Sequence, residues 1–121
     1  HGKMEFRAKL PVGVGPWPAA WMLGANFDQV GWPACGEIDV LEWSGLQPGL
    51  VGQATHSPSR FGGNSIEVKT PVANLGTQFH TYAVVWEPGR VTFSIDGITT
   101  GTWTTADTGN PFEKEFFLLL N

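Results

Sequence analysis

The stretch Phe79-His80-Thr81-Tyr82-Ala83-Val84-Val85-Trp86-Glu87-Pro88-Gly89-Arg90-Val91-Thr92-Phe93-Ser94-Ile95-Asp96-Gly97 decides the fold class. Residues 79–87 and 90–96 read as two strands joined at Pro88-Gly89, the second turning Val91, Phe93 and Ile95 toward one face. Asp96-Gly97 is the dipeptide that tight hairpins favour, because both positions tolerate a positive φ. Residues 98–103 then pair back. Alternation of this kind does not fit a helix, whose apolar positions recur every three to four residues.

Working outward, the same pattern continues. Residues 3–10 alternate, with Met4, Phe6, Ala8 and Leu10 on one face and Lys3, Glu5, Arg7 and Lys9 on the other, until Pro11 ends the strand. Residues 11–18 hold three prolines and two glycines and form a loop. Residues 19–24 make a short apolar strand, 25–35 a loop containing Trp32-Pro33, and 36–44 the next strand. Weaker strands cover 51–57 and 65–70, with a loop from Ser57 to Gly63 between them, and 115–120 is the last strand. Strands recur about every 10–15 residues with no helical period, which indicates an all-β sandwich or barrel. No repeat or linker divides the chain.

Composition narrows the function classes. With 121 residues the chain is one domain at most. Its 16 Gly, 9 Pro, 6 Trp and 8 Phe suit a turn-rich β protein and exclude a coiled coil or a disordered tail. The net charge of -4 and the lack of a basic run argue against nucleic acid, which needs clustered Lys and Arg, but fit a neutral ligand such as a sugar. Cys35 stands alone, so no internal disulfide forms. No apolar stretch approaches the ~20 residues of a membrane-spanning helix. Residues 1–121 do not open on Met and are expected to carry no signal peptide themselves. The chain opens at His1-Gly2 inside an alternating pattern and closes on the apolar run Phe116–Asn121. An uncovered apolar last strand invites aggregation, so residues 1–121 are expected to be a fragment of a larger domain.

The chemistry centres on Gly36-Glu37-Ile38-Asp39-Val40-Leu41-Glu42-Trp43, three carboxylates within six positions. The β-branched Ile38 and Val40 favour a strand over a helix. On a regular strand Glu37 and Asp39 share a face and Glu42 points away. One β-bulge would return Glu42 to the acidic face. The glutamates would then be effectively four positions apart, roughly 13 Å between Cα atoms, and side chains leaning inward by about 4 Å each would bring the carboxyls to roughly 5 Å. A retaining glycosidase needs about 5–5.5 Å and an inverting one ~6.5–9.5 Å. Repulsion among the three must push at least one pKa up, which leaves a protonated acid beside an ionised nucleophile. Asp39 between them can hydrogen-bond Glu37. The competing account of this spacing is a solvated acidic sheet edge, which the flanking Trp32 and Trp43 make less attractive.

The six tryptophans are the second signal. Indoles stack on the C–H faces of sugars, with polar residues at the cleft edge. Trp17 and Trp32, in loops with proline, are expected in a cleft; Trp86, in phase with Tyr82 and Val84, is expected in packing. His56 follows Gln53 and Thr55 on one strand face and is expected to reach a substrate hydroxyl, while His80 is structural. No His/Cys cluster has zinc spacing, and no phosphate loop or nucleophilic Ser motif is present. Cys35 reads as a small packing residue.

At these residues the sequence resembles glycoside hydrolase family 16, in particular its bacterial laminarinase-type endo-β-1,3-glucanases. The family signature Glu-x-Asp-x-x-Glu, in its bulged form, stands here as Glu37-Ile-Asp39-Val-Leu-Glu42. The resemblance extends over residues 2–10, Trp17-Pro-Ala-Ala-Trp21-Met-Leu-Gly, Gly31-Trp32-Pro-Ala-Cys-Gly36, Phe79 to Glu87, Phe93 to Gly97, and Pro111-Phe112 to Leu120-Asn121. It implies a jelly-roll sandwich of two curved antiparallel sheets with a sugar cleft on the concave face. It also implies Glu37 as nucleophile, Asp39 as its helper and Glu42 as acid/base, with Arg7, Asn26, Trp17, Trp21, Trp32 and His56 at cleft positions. Such domains run to about twice this length, so residues 1–121 are expected to be the central part of one, truncated at both ends. The family's usual calcium ligands lie in the missing ends, so no metal and no cofactor are expected in this chain.

The resulting expectation is retaining endo-hydrolysis of β-1,3-glucan by a secreted, monomeric protein, with β-glucan as partner and neither nucleic acid nor membrane. A mixed-linkage β-1,3-1,4-glucanase is the alternative within the class. A glucan-binding sandwich without catalysis and a structural or adhesive β domain are the alternatives outside it.

Overall fold

The computed structural model describes residues 1–107 and 109–121. Nine strands occur among them: β1 (Gly2–Ala8), β2 (Ala19–Gly24), β3 (Glu37–Glu42), β4 (Leu50–His56), β5 (Ile66–Pro71), β6 (His80–Glu87), β7 (Arg90–Ile95), β8 (Ile98–Thr104) and β9 (Phe116–Leu120). They form two antiparallel sheets, one of order β1-β6-β7-β8 and one of order β5-β4-β3-β2-β9. This is the expected all-β two-sheet sandwich. One four-residue helix, α1 (Phe27–Val30), and two 3-10 turns interrupt the loops. No helix among the described residues is long and apolar enough to cross a membrane.

Alternation builds the interior. Phe6 and Met4 from β1, Tyr82, Val84 and Trp86 from β6, and Val91, Phe93 and Ile95 from β7 face Ala20, Met22, Ile38, Val40 and Val51 of the other sheet. The Asp96-Gly97 turn has φ of 51° and 78°, the conformation that the dipeptide favours. Asp96 also accepts from the Thr81 N–H and lies 2.7 Å from His80 Nδ1, which makes His80 a turn-fixing residue, as expected. Cys35 is fully buried, its thiol against the Gly36 carbonyl.

The feature that positions the site is an irregularity in β3. Asp39 pairs with Trp21 and Leu41 with Ala20 across β2, so Val40 is skipped. Across β4, Asp39 pairs with Ala54 and Glu42 with Gly52, leaving Val40 and Leu41 opposite Gln53 alone. Two residues against one is a β-bulge. Val40 and Leu41 both face the core, 0% and 4% exposed. Without the bulge Leu41 would turn to solvent, losing about 1.5–3 kcal/mol of burial, and the Glu42 carboxylate would enter the core, at a cost of about several kcal/mol. Both effects favour the bulged register.

Candidate active site

The bulge puts Glu37, Asp39 and Glu42 on the outer face of the five-stranded sheet. They share an open cleft of 230 Å³ with Trp17, Trp21 and Asn121. A second cavity of 310 Å³ adjoins it, sharing Trp17 and Glu42 and bounded by Gly52, Glu67 and Lys69 of β4 and β5. Together they make one groove past Glu42, in the size class of small-ligand sites, about 300–1,000 Å³.

Each carboxylate has its own holder. Trp32 Nε1 donates to Glu37 Oε2, and Trp17 Nε1 donates to Glu42 Oε1 at 2.8 Å. Asp39 is only 5% exposed, and its Oδ2 lies 3.2 Å from His56 Nε2. The same His56 nitrogen is 3.9 Å from Glu37 Oε1. The Gly62 N–H donates to His56 Nδ1 at 3.1 Å, so that nitrogen is an acceptor and the ring proton sits on Nε2, facing the acids.

This tautomer bears on metal binding. Donor atoms of Glu37, Asp39 and His56 lie within 4.8 Å of one another. A metal would need the Nε2 lone pair, which moves the proton to Nδ1 and opposes it to the Gly62 N–H. The trio is better suited to hydrogen bonding among its members than to ligation.

Burial raises Glu37 to about 7, helped by the charge of Asp39 and a hydrogen bond with it. Burial also raises Glu42; the Trp17 hydrogen bond opposes this, and Asp39 and Glu67 reinforce it. Burial depresses His56, but the Asp39 bond and the surrounding carboxylates outweigh it, so His56 ends raised. The cluster therefore keeps a proton near neutrality, as the three-carboxylate spacing implies. Glu37, the end that the sequence reading left ionised, is the one raised to about 7, and Glu42 is shifted in the same direction.

The candidate residues from the sequence divide clearly. Glu37, Asp39, Glu42, Trp17, Trp21, Trp32 and His56 come together. Trp17 is 61% exposed and Trp32 43%, so both offer open indole faces. Trp21 Nε1 donates to Asn121 Oδ1, and Asn121 Nδ2 donates to the Trp17 carbonyl, each at 2.9 Å. His56 reaches the site on the face opposite Gln53 and Thr55, which point into the sandwich; the expectation that the three share a face is corrected by simple alternation along β4.

Arg7 does not belong to the site. It lies on β1 of the other sheet, facing solvent, with its guanidinium carbon 4.6 Å from the Phe79 ring centroid. Its outward phase was readable, but the sheet to which β1 belongs puts the whole core between Arg7 and the carboxylates. Asn26 sits at the start of α1 and does not line the cleft. Its carbonyl accepts from Gln29 and Val30, and its buried Oδ1 packs beside Gly24. Trp43, read as a flank of the acidic strand, is 1% exposed, donates to the Pro48 carbonyl and backs the second cavity.

Two site residues were missed. Asn121 reaches Trp21 because β9 pairs with β2. Glu67 approaches because residue 52 is glycine: a Cβ there would stand 3.0 Å from Glu67 Oε1. The outward phase of Glu67 on β5 was the available signal; the β4–β5 register was not.

Paired carboxylates on a bulged strand of a two-sheet sandwich, with indoles around them, are a site of the kind that glycosidases use. The family model of glycosyl hydrolases family 16 matches residues 1–116, and the chain belongs to that family. A glucan endo-1,3-beta-glucosidase A1 from Niallia circulans is 36% identical over 134 residues, covering 100% of this chain and 20% of the relative. A laminarinase structure from Flavobacterium sp. UMI-01 superposes with a TM-score of 0.92 at 38% identity, covering 98% of this chain and 53% of that one. The laminarinase catalytic domain from Thermotoga maritima MSB8 gives 0.90 at 38% identity, covering 98% and 51%. The chain thus spans about half the length of these solved relatives.

Proposed function

We propose that the protein hydrolyses internal β-1,3-glucosidic bonds of laminarin-like glucans with retention of configuration. The observation that carries this reading is the bulge at Val40-Leu41, which brings Glu42 to the face of Glu37 and Asp39 in one cleft. The relatives named for 1,3-glucan and laminarin cleavage support the choice of substrate.

Glu42, protonated, gives its proton to the glycosidic oxygen while a Glu37 oxygen attacks the anomeric carbon. The C–O bond breaks, the shortened glucan leaves with the Glu42 proton, and a glycosyl ester forms on Glu37. Water then gives a proton to Glu42 and attacks the same carbon, releasing Glu37. Glu37 must be ionised to attack. Positive charge developing at the anomeric carbon favours that form, against the burial that raises its pKa to about 7 in the free site. Trp32 fixes the attacking carboxylate and Trp17 the acid. One strand supplies all three acids, so a monomer suffices. A polymer does not cross a membrane, so this reading has the protein acting outside the cell.

The test is reducing-end release from laminarin, lichenan and cellulose. Laminarin is expected to be cleaved best, and Glu37→Gln or Glu42→Gln to lower turnover at least ~100-fold while laminarin binding survives. Unchanged turnover in either variant rejects the assignment, and a preference for lichenan moves the substrate to mixed-linkage glucan.

A further inference from the structure

Gln53 is 0% exposed, in the middle of β4, at a position where alternation calls for an apolar side chain. It faces the two bulged residues. Val40 has no ladder partner on β2 or β4. Gln53 Nε2 donates to the Val40 carbonyl at 2.8 Å and lies 3.4 Å from the Ser94 carbonyl of β7. Its Oε1 accepts from Thr100 Oγ1 of β8 at 2.5 Å. The amide is thus supplied with partners from three strands in both sheets. A bulge leaves its extra residue unpaired, and a buried carbonyl left so costs about 1–3 kcal/mol. A valine or leucine at 53 would fill the same space and leave that carbonyl unmet.

We propose that Gln53 is a positioning residue for the acid/base: it pins the Val40-Leu41 bulge from inside the sandwich and so sets where the Glu42 carboxyl stands relative to Glu37. This rests on the functional reading above. Gln53 touches no substrate; it acts through backbone geometry one residue pair away from Glu42. Thr100 fixes which way the amide points, because its hydroxyl donates to the oxygen and leaves the nitrogen for Val40. Through this chain the four-stranded sheet is coupled to the acid on the far side of the other sheet.

The signature of a misplaced acid is selectivity for the leaving group. A glucan needs a proton on its departing oxygen, whereas 2,4-dinitrophenolate leaves without one. In Gln53→Met, which keeps the volume and removes the amide, kcat/KM on laminarin is expected to fall about 30-fold, the scale of a displacement under ~1 Å. On 2,4-dinitrophenyl β-laminaribioside kcat/KM, which reports only formation of the glycosyl-enzyme, the fall should stay within about threefold. Glu42→Ala should show the same split, larger. An equal loss on both substrates, or no loss on laminarin, overturns the proposal. Thr100→Val, which keeps Gln53 and frees its amide, decides the matter should Gln53→Met not fold: a selective loss of about threefold or more supports the clamp, and none overturns it. A readout independent of turnover separates this from the functional reading. Amide exchange at Leu41 and Glu42 should quicken about tenfold or more in the folded variant. Unchanged exchange sinks the clamp alone, whereas a native protein inert on every glucan sinks the reading and leaves the exchange result to judge the clamp.

Discussion

Trp17 Nε1 stands 2.8 Å from Glu42 Oε1, a bond from the loop of residues 11–18 to the acid that the bulge turns outward. The indole thus both lines the groove and opposes the rise in the Glu42 pKa. Trp17→Phe keeps an aromatic face and removes the donor. Glu42 should then hold its proton to higher pH, so the alkaline limb of kcat/KM moves upward. The lost hydrogen bond to a charged group should cost about tenfold in kcat/KM at the optimum. An unmoved limb in the pH profile contradicts the assignment of Glu42 as the acid.

Glu67 acts on Glu42 in the opposite sense to Trp17. Its like charge reinforces the raised pKa, and Gly52 gives it room to approach. Glu67→Gln should lower the Glu42 pKa and bring the alkaline limb down, with kcat on the plateau changed less than about threefold. A limb moving upward on the same measurement contradicts the placement of these two carboxylates in one field.

Glu37 carries a stability cost. Its folded-state pKa of about 7 lies above its ordinary value, so the folded protein binds the proton more tightly than the unfolded chain does. Stability is therefore lost as pH rises from about 4.5 through about 7. Glu37→Gln removes the titration and keeps an acceptor for Trp32. Its melting temperature should exceed that of the native protein by roughly 3 °C or more at pH 8 and match it at pH 4. Parallel melting curves at both pH values contradict the buried, proton-holding state of Glu37.

Arg7 supplies a negative control. Outside the opposite sheet, over Phe79, it has no route to the sugar. Arg7→Ala should leave KM and kcat on laminarin within about twofold. A KM raised tenfold would return Arg7 to the cleft and overturn the sheet assignment of β1.

The strand positions were legible almost residue by residue, because half-buried antiparallel strands announce themselves through period two and their ends through Gly, Pro and Asp. The bulge was legible for a different reason. Three acids on one strand make chemical sense only if the phase shifts between Asp39 and Glu42, and the core accepts both Val40 and Leu41. Pairings remote in sequence were not legible: the sheet to which β1 belongs decided Arg7, the β2–β9 pairing brought in Asn121, and the β4–β5 register brought in Glu67. Helix α1 was hidden in the 25–35 loop, since Phe27-Asp28-Gln29-Val30 is a single turn and shows no period. Gln53, polar and fully buried, could be recognised as a partner of the bulge only once the bulge and the facing sheet were both in view.

The stereochemical course of the reaction tests the account most directly, because it depends on whether Glu37 and Glu42 stand close enough for one to attack and the other to protonate. Proton NMR of the first products released from laminarin should show the β-anomer, with the α-anomer growing in only by mutarotation. First appearance of the α-anomer would mean direct attack by water between widely separated acids, and would contradict the double displacement proposed for Glu37 and Glu42.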